Sequence, residues 1–341
     1  MPTYRAFQVT GQRQFELVER DVVEPEPGHV RVRVLACGVC HSDSLGVEGL
    51  RPDPSQPVVP GHEVIGIVDA VGPDVTAWQV GDRVGLGFLG GHCGECAYCR
   101  RGDFVNCANQ PQPGTSEDGG YAEMVYARAT GLVRVPEELD PLEAAPLLCA
   151  GITTFNALRN ADAPLGALVA IQGIGGLGHL GIQQAKQLGY RTVAIARGQD
   201  KKELATSLGA DDYIDSAATD PGAALQELGG AAVIVATAAS GTSMSPLVAG
   251  LTTRGQLVVV GAATDPIEVQ TTDLIFGGRS IVGSLTGTPI ENEDNLAFAL
   301  GHGIKSMNEV MPFEDAPKAY ERMMSGVARF RVVLDIASVD A

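Results

Sequence analysis

An apolar run at residues 168–172 passes directly into Gly173-Ile174-Gly175-Gly176-Leu177-Gly178 and then into a helix-length segment, 179–188. A G-x-G-x-x-G stretch between a strand and a helix leaves few folds open to a chain. Gly173 permits the tight turn, Gly175 lets the backbone come close to a pyrophosphate, and Gly178 lets the helix pack hard against the strand. Gly176 and Leu177 complete the loop, and the free N–H groups at the helix start supply positive potential to phosphate. In isolation such a motif competes with an ordinary glycine-rich turn. Here further short apolar strands follow at 192–196, 213–215, 233–236, 257–261 and 281–285, each set off by a helix-length segment. Six such strands predict a doubly wound parallel α/β sheet.

An acidic residue at the end of the second strand of such a sheet holds the ribose hydroxyls of NAD. This chain has Ala196-Arg197-Gly198-Gln199 there, with Lys201 and Lys202 just beyond. Arg197 and Lys201 in that place suit a ribose 2'-phosphate, so the sequence predicts NADP(H) in preference to NAD(H). The competing reading makes Arg197 a solvated turn residue.

Upstream the texture differs. Short β-rich runs at 4–9, 30–36, 63–71 and 121–127 alternate with turns such as Glu26-Pro27-Gly28, which predicts a twisted, mostly antiparallel β domain. At 341 residues and 45% hydrophobic content the chain can fill two cores. Helices at 291–299 and 316–324 and a strand at 330–336 complete it, and periodicity assigns them to neither domain. The formal charge of -17 repels phosphate backbones and anionic membrane surfaces, which argues against a nucleic-acid partner. No stretch reads as a membrane span or a signal peptide, so a soluble, cytoplasmic protein without a membrane partner is expected.

Of the seven cysteines, Cys93-x2-Cys96-x2-Cys99-x7-Cys107 places four in one loop. That spacing predicts a closed, four-coordinate structural zinc rather than disulfides. Cys40, His62 and Cys149 are dispersed. Together they would supply three ligands and leave a fourth position open, as at a catalytic zinc, but spacing alone does not gather them. Cys37 reads as a small buried hydrophobe.

With Gly61-His62-Glu63-Val64-Ile65-Gly66, the four-cysteine loop and Gly173 to Gly178 in order, nearly the whole chain resembles the zinc-containing medium-chain dehydrogenase/reductase family, alcohol dehydrogenases including cinnamyl-alcohol-dehydrogenase-like members. The resemblance implies an α/β protein with a GroES-like β-rich catalytic domain at 1–150, a Rossmann doubly wound parallel sheet at 151–287, and a return to the catalytic domain at 288–341. It implies two zinc ions per chain. Cys40, His62 and Cys149 would hold the catalytic one, with Glu63 beside it as an occasional alternate ligand, and Cys93, Cys96, Cys99 and Cys107 the structural one. Asp43 would orient His62, and Ser42 would hydrogen-bond the alcohol oxygen and pass its proton outward. His41 would touch the cofactor pyrophosphate, Thr153 the nicotinamide side, and Phe88 would wall the substrate pocket. One departure stands out: three residues after Ser42, where the family continues its proton relay with a histidine, this chain has Leu45.

The activity implied is hydride transfer between a small alcohol or aldehyde and NAD(P), with Cys149 favouring primary alcohols. The family habit is a homodimer or homotetramer, built on an edge strand near 281–285. Two other readings compete: a zinc-free quinone or enone reductase of the same superfamily, and a non-catalytic cofactor-binding sensor that keeps only the structural zinc.

Overall fold

In the computed structural model, which describes residues 1–51 and 53–340, the chain opens with β1 (Thr3–Gly11), β2 (Gln14–Asp21), β3 (His29–Val39), β4 (Glu63–Val71), β5 (Arg83–Leu86), β6 (Met124–Arg128) and β7 (Leu132–Arg134). Then come β8 (Leu168–Gln172), β9 (Arg191–Ala196), β10 (Asp212–Asp215), β11 (Ala231–Ala236), β12 (Leu251–Val259) and β13 (Ser280–Gly283), and last β14 (Asn308–Pro312) and β15 (Arg331–Asp335). These fall into two compact units. One comprises residues 1–149, 287–301 and 305–341, the other 150–286 and 302–304.

β3 organises the first unit. Val30, Val32 and Val34 point into the core while Arg31 and Arg33 between them do not, the period-two pattern of a half-buried strand. From Ala36 onward every residue is buried, with β4 on one side of β3 and β15 on the other. β4 runs antiparallel to it with Gly38 opposite Glu63, and β15 runs antiparallel on the other edge with Val332 opposite Val39. The sheet order is β14-β15-β3-β4-β5-β7, with β6 also on β3, and β1 pairs β2 in a separate hairpin. Since β14 and β15 are parallel, this sheet is mixed. Phe313, Val332 and Leu334 share one core with Val30, Val32 and Val64, so the C-terminal segment packs into the first unit.

The second unit is a six-stranded parallel sheet in the order β10-β9-β8-β11-β12-β13. Counted within the unit, that is the doubly wound order 3-2-1-4-5-6. β8 is buried at every position, as expected of a central strand covered on both faces. The strand expected at 257–261 is the second half of the longer β12, and that at 281–285 begins one residue earlier as β13. Among the described residues no helix is long and apolar enough to cross a membrane.

The glycine loop connects β8 to the helix Gly178–Gln187. Gly173 has φ +92°, a left-handed conformation that favours glycine, and its N–H bonds the Ile195 carbonyl at 2.8 Å. A Cβ at Gly178 would fall on the carbonyl oxygen of Gly173, so helix and strand approach closely only because no side chain intervenes. A Cβ at Gly175 would meet nothing within 4 Å. Gly178→Ala is therefore expected to destabilise the unit by about 3 kcal/mol, a fall of roughly 6–12 °C in Tm, while Gly175→Ala should melt with the parent. Thermal unfolding of the two variants side by side checks this.

Candidate active site

Strand pairing gathers the first cluster. Cys40 follows the last residue of β3 and His62 precedes the first of β4, so the Gly38–Glu63 pairing puts both side chains at the same end of the sheet. Pairing of Val39 with Val332 brings Arg331 to that end from the other edge. Cys149 arrives from the helical turn Ala145–Leu148, itself preceded by a short helix that Asp140 caps through the N–H groups of Leu142 and Glu143. One ligand atom from each of Cys40, His62, Glu63 and Cys149 lies within 4.8 Å of the others.

The two sulfurs, of Cys40 and Cys149, stand 3.8 Å apart. Two thiolates bound at about 2.3 Å to one tetrahedral ion would be separated by about 3.8 Å. His62 Nδ1 is 2.8 Å from Asp43 Oδ1, and its buried Nε2 has no hydrogen-bond partner. Asp43, 1% exposed, also accepts on Oδ2 from the Cys40 N–H and from the Tyr121 hydroxyl, each at 2.9 Å. Glu63 forms a buried ion pair with Arg331, and its other carboxylate oxygen fills the space over Gly38 that a side chain there would need.

Burial and close charges oppose one another at this site. The hydrogen bond from Cys149, together with His62, holds the Cys40 thiol well below its ordinary pKa against the effect of burial, while the same contact and burial hold Cys149 well above. Burial pushes the Glu63 carboxyl up to about 8 despite the attraction of Arg331. Burial opposes a charge on His62, yet Asp43 and Cys40 carry its pKa well above the usual range. Two cysteine sulfurs and an imidazole whose buried Nε2 meets no hydrogen-bond partner form a donor set that suits zinc.

The second cluster is local. Cys93 Sγ lies 4.0 Å from Cys99 Sγ and 3.7 Å from Cys107 Sγ, and all four sulfurs of Cys93, Cys96, Cys99 and Cys107 fall within 4.8 Å of one another. Backbone N–H groups point at two of the sulfurs: Cys99 donates to the Cys96 sulfur at 3.5 Å and Cys93 to the Cys107 sulfur at 3.4 Å. The N–H groups of Cys99 and Ala108 bring the Cys96 thiol down to about 6, whereas burial raises Cys99 to about 12. With sulfur at all four corners, this set matches a closed tetrahedral site.

The remaining predicted residues are placed as follows. The Phe88 ring meets the His62 ring edge-on, with centroids 5.2 Å apart. Ser42 is half-buried and His41 exposed on the turn after Cys40. In the second unit Thr153 is buried, its hydroxyl 3.4 Å from the Leu285 carbonyl, and Gly176 and Leu177 are half-buried in the loop. Lys201 donates to the Ile174 carbonyl of that loop at 2.8 Å, and Arg197 is exposed. Although no acidic residue ends β9, the neighbouring strand supplies one. Asp215, opposite Ala196, accepts from Gly198 N–H at 2.7 Å and from the Gln199 amide at 3.1 Å. The N–H groups of Ala217 and Gly198 hold that carboxyl below its ordinary pKa. Sequence reasoning missed Asp215, Tyr121 and Arg331. The local hint of Arg331 is a charge just before the apolar run Val332-Val333-Leu334.

Comparison with known proteins agrees with this geometry. Residues 26–137 match the family described as the alcohol dehydrogenase GroES-like domain, and residues 176–300 the one described as zinc-binding dehydrogenase. The alcohol dehydrogenase patD of Penicillium expansum is 45% identical over 310 residues, 91% of either chain. The chain belongs to the zinc-containing medium-chain dehydrogenase family. As a family member it is an oxidoreductase of the alcohol dehydrogenase type, combining a GroES-like domain with a Rossmann domain and acting on a small molecule. An alcohol dehydrogenase of Geobacillus stearothermophilus is 40% identical over 311 residues, 91% of this chain and 92% of that one. Among solved structures, a cinnamyl alcohol dehydrogenase of Sorghum bicolor superposes with a TM-score of 0.87 at 30% identity, over 98% of each chain. A Helicobacter pylori structure, titled CAD complexed with NADP(H), gives 0.85 at 26% identity, again over 98% of each.

Removing the Tyr121 hydroxyl leaves one oxygen of the dehydrogenase's buried Asp43 short of a donor. Tyr121→Phe is expected to cost about 1.5–3 kcal/mol of stability, the usual worth of a hydrogen bond to a charged group. Denaturant titration of parent and variant measures it.

Proposed function

We propose that this protein is a zinc-dependent alcohol dehydrogenase and aldehyde reductase that exchanges a hydride between a primary alcohol and NADP(H). The observation that carries the reading is the 3.8 Å separation of the Cys40 and Cys149 sulfurs beside an unpartnered His62 Nε2. In this reading residues 1–150 and 288–341 form the catalytic domain and 151–287 the cofactor domain. Cys40, His62 and Cys149 hold the catalytic zinc, Glu63 stands by as an alternate ligand, and Cys93, Cys96, Cys99 and Cys107 hold a second, structural one. Bound there, the catalytic zinc supplies Lewis-acid polarisation of a substrate oxygen.

The protein's own groups do the rest. Asp43 fixes the His62 ring so that Nε2 keeps its lone pair for the ion. Ser42 would accept the alcohol's hydroxyl proton as it gives up its own, and Leu45 offers that released proton no onward acceptor. Phe88 walls the pocket beside His62. The bare backbone at Gly175, with Gly176 to Gly178, would admit the diphosphate, and Thr153 would meet the nicotinamide side. Arg197 neutralises the 2'-phosphate. The nearby Asp215 carboxylate is occupied by the turn that carries Arg197; the Helicobacter pylori structure is titled with NADP(H), while two others of like similarity are titled with NAD. The enzyme works in the cytoplasm as a homodimer or homotetramer.

Three measurements test this. Metal analysis is expected to find two zinc ions per chain; one ion, with no NADPH oxidation on a panel of aldehydes, would favour the sensor reading. Cys40→Ser should abolish turnover, and undiminished activity would favour a zinc-free reductase. Arg197→Ala should raise KM for NADPH by tenfold or more, at about 1.4 kcal/mol per factor of ten, and leave KM for NADH nearly unchanged. An equal rise for both cofactors would overturn the NADP(H) preference.

A further inference from the structure

Cys149 is the ligand whose position is hardest to account for. It belongs to no strand, and its backbone (φ -128°, ψ -69°) interrupts two successive helical segments, Ala145–Leu148 and Ala150–Arg159. Such a break leaves carbonyls of the preceding turn without the N–H partners a continuous helix would provide. Those of Leu147 and Leu148 are bonded instead by two side-chain amides from a distant part of the sequence. Asn295 Nδ2 donates to Leu147 and Asn292 Nδ2 to Leu148, each at 3.0 Å, and Asn295 also donates to Asn292 Oδ1 at 3.4 Å. Both asparagines are buried, at 3% and 0% exposure, on the helix Pro289–His302.

The register of that helix is set in turn. Thr288 and Glu291 form a reciprocal cap, in which the Thr288 N–H and hydroxyl donate to Glu291 Oε2 at 2.8 Å and the Glu291 N–H reaches the Thr288 hydroxyl at 3.4 Å. Asn292 and Asn295, three apart, therefore share a face. A Cβ at Gly87, the residue before Phe88, would sit 2.9 Å from the Leu148 carbonyl and 3.4 Å from Asn292 Nδ2, so the same amide lies against the segment that carries the ring beside His62.

We propose that Asn292 and Asn295 are positioning residues for the metal site: by bonding the carbonyls of Leu147 and Leu148 they hold the chain break that turns Cys149 toward Cys40. The inference rests on the reading that Cys40, His62 and Cys149 hold zinc. An apolar side chain at either position leaves a buried carbonyl unpaired, and the turn relaxes to recover a partner, which moves the sulfur away from its place.

The test uses the zinc-loaded enzyme and follows zinc release to a chelator, with Tm recorded in parallel. Asn292→Leu and Asn295→Leu are expected to release one of two zinc ions about 10–100-fold faster than the parent, the range seen when groups that orient metal ligands are removed. The other ion, at Cys93 to Cys107, should leave at the parent rate. Leu296→Ala, a buried apolar position on the same helix, reports what general loosening does. Asn292→Ser keeps a donor and is expected to lie between the parent and Asn292→Leu; it stands in if the leucine variant does not fold. Parent-like release from the asparagine variants overturns the proposal, and so does equally fast release from Leu296→Ala. A parent enzyme that holds a single zinc overturns the site reading itself.

Discussion

A buried carboxylate is tolerated only where neighbouring charge and hydrogen bonds answer it, and the partners of the Asp43 side chain shape everything around it. One oxygen contacts His62 Nδ1, and the other takes the N–H of Cys40 and the hydroxyl of Tyr121. Those three partners come from the end of β3, the start of β4 and the segment leading to β6. Satisfying a single charge thus ties two candidate ligands together and sets the tautomer of the imidazole. A hydrophobic residue at position 43 would suit burial but would orient nothing.

Around that anchor the site concentrates groups that repel or desolvate one another. Cys40 and Cys149 compete for one proton across 3.8 Å, and Glu63 lies buried close to both. Arg331 balances part of this charge from β15, which reaches β3 only because the chain returns to its first unit after the parallel sheet is complete. A divalent cation would relieve the rest, since it favours thiolate over thiol and neutral imidazole over imidazolium. The four-cysteine loop handles the same problem differently, by donating backbone N–H groups to its own sulfurs.

What could be seen in the sequence follows the range of the interactions. The glycine loop was legible because its turn and helix packing are decided within six residues: Gly173 takes the positive φ of the turn, Gly178 lets the helix close on the strand, and the space over Gly175 is open. The four-cysteine loop was legible for the same reason. Strands with strong β character, such as β3 and β8, were also found, whereas β2, β5, β7 and β14, which are short or exposed, were not. Asp215 escaped notice because a parallel strand neighbour, not the chain itself, brings it to the end of β9.

Local spacing in the chain thus dictated the dinucleotide turn, the sulfur set of the loop and the two textures of fold, because each depends on residues a few positions apart. The gathering of Cys40, His62 and Cys149, the Glu63–Arg331 pair and the asparagine bonds to Leu147 and Leu148 were decided only in three dimensions. Sheet register and the return of the last segment join residues as far apart in sequence as Ala36 and Asp335. No periodicity encodes such distances; they emerge only when the core of the first unit closes around β3.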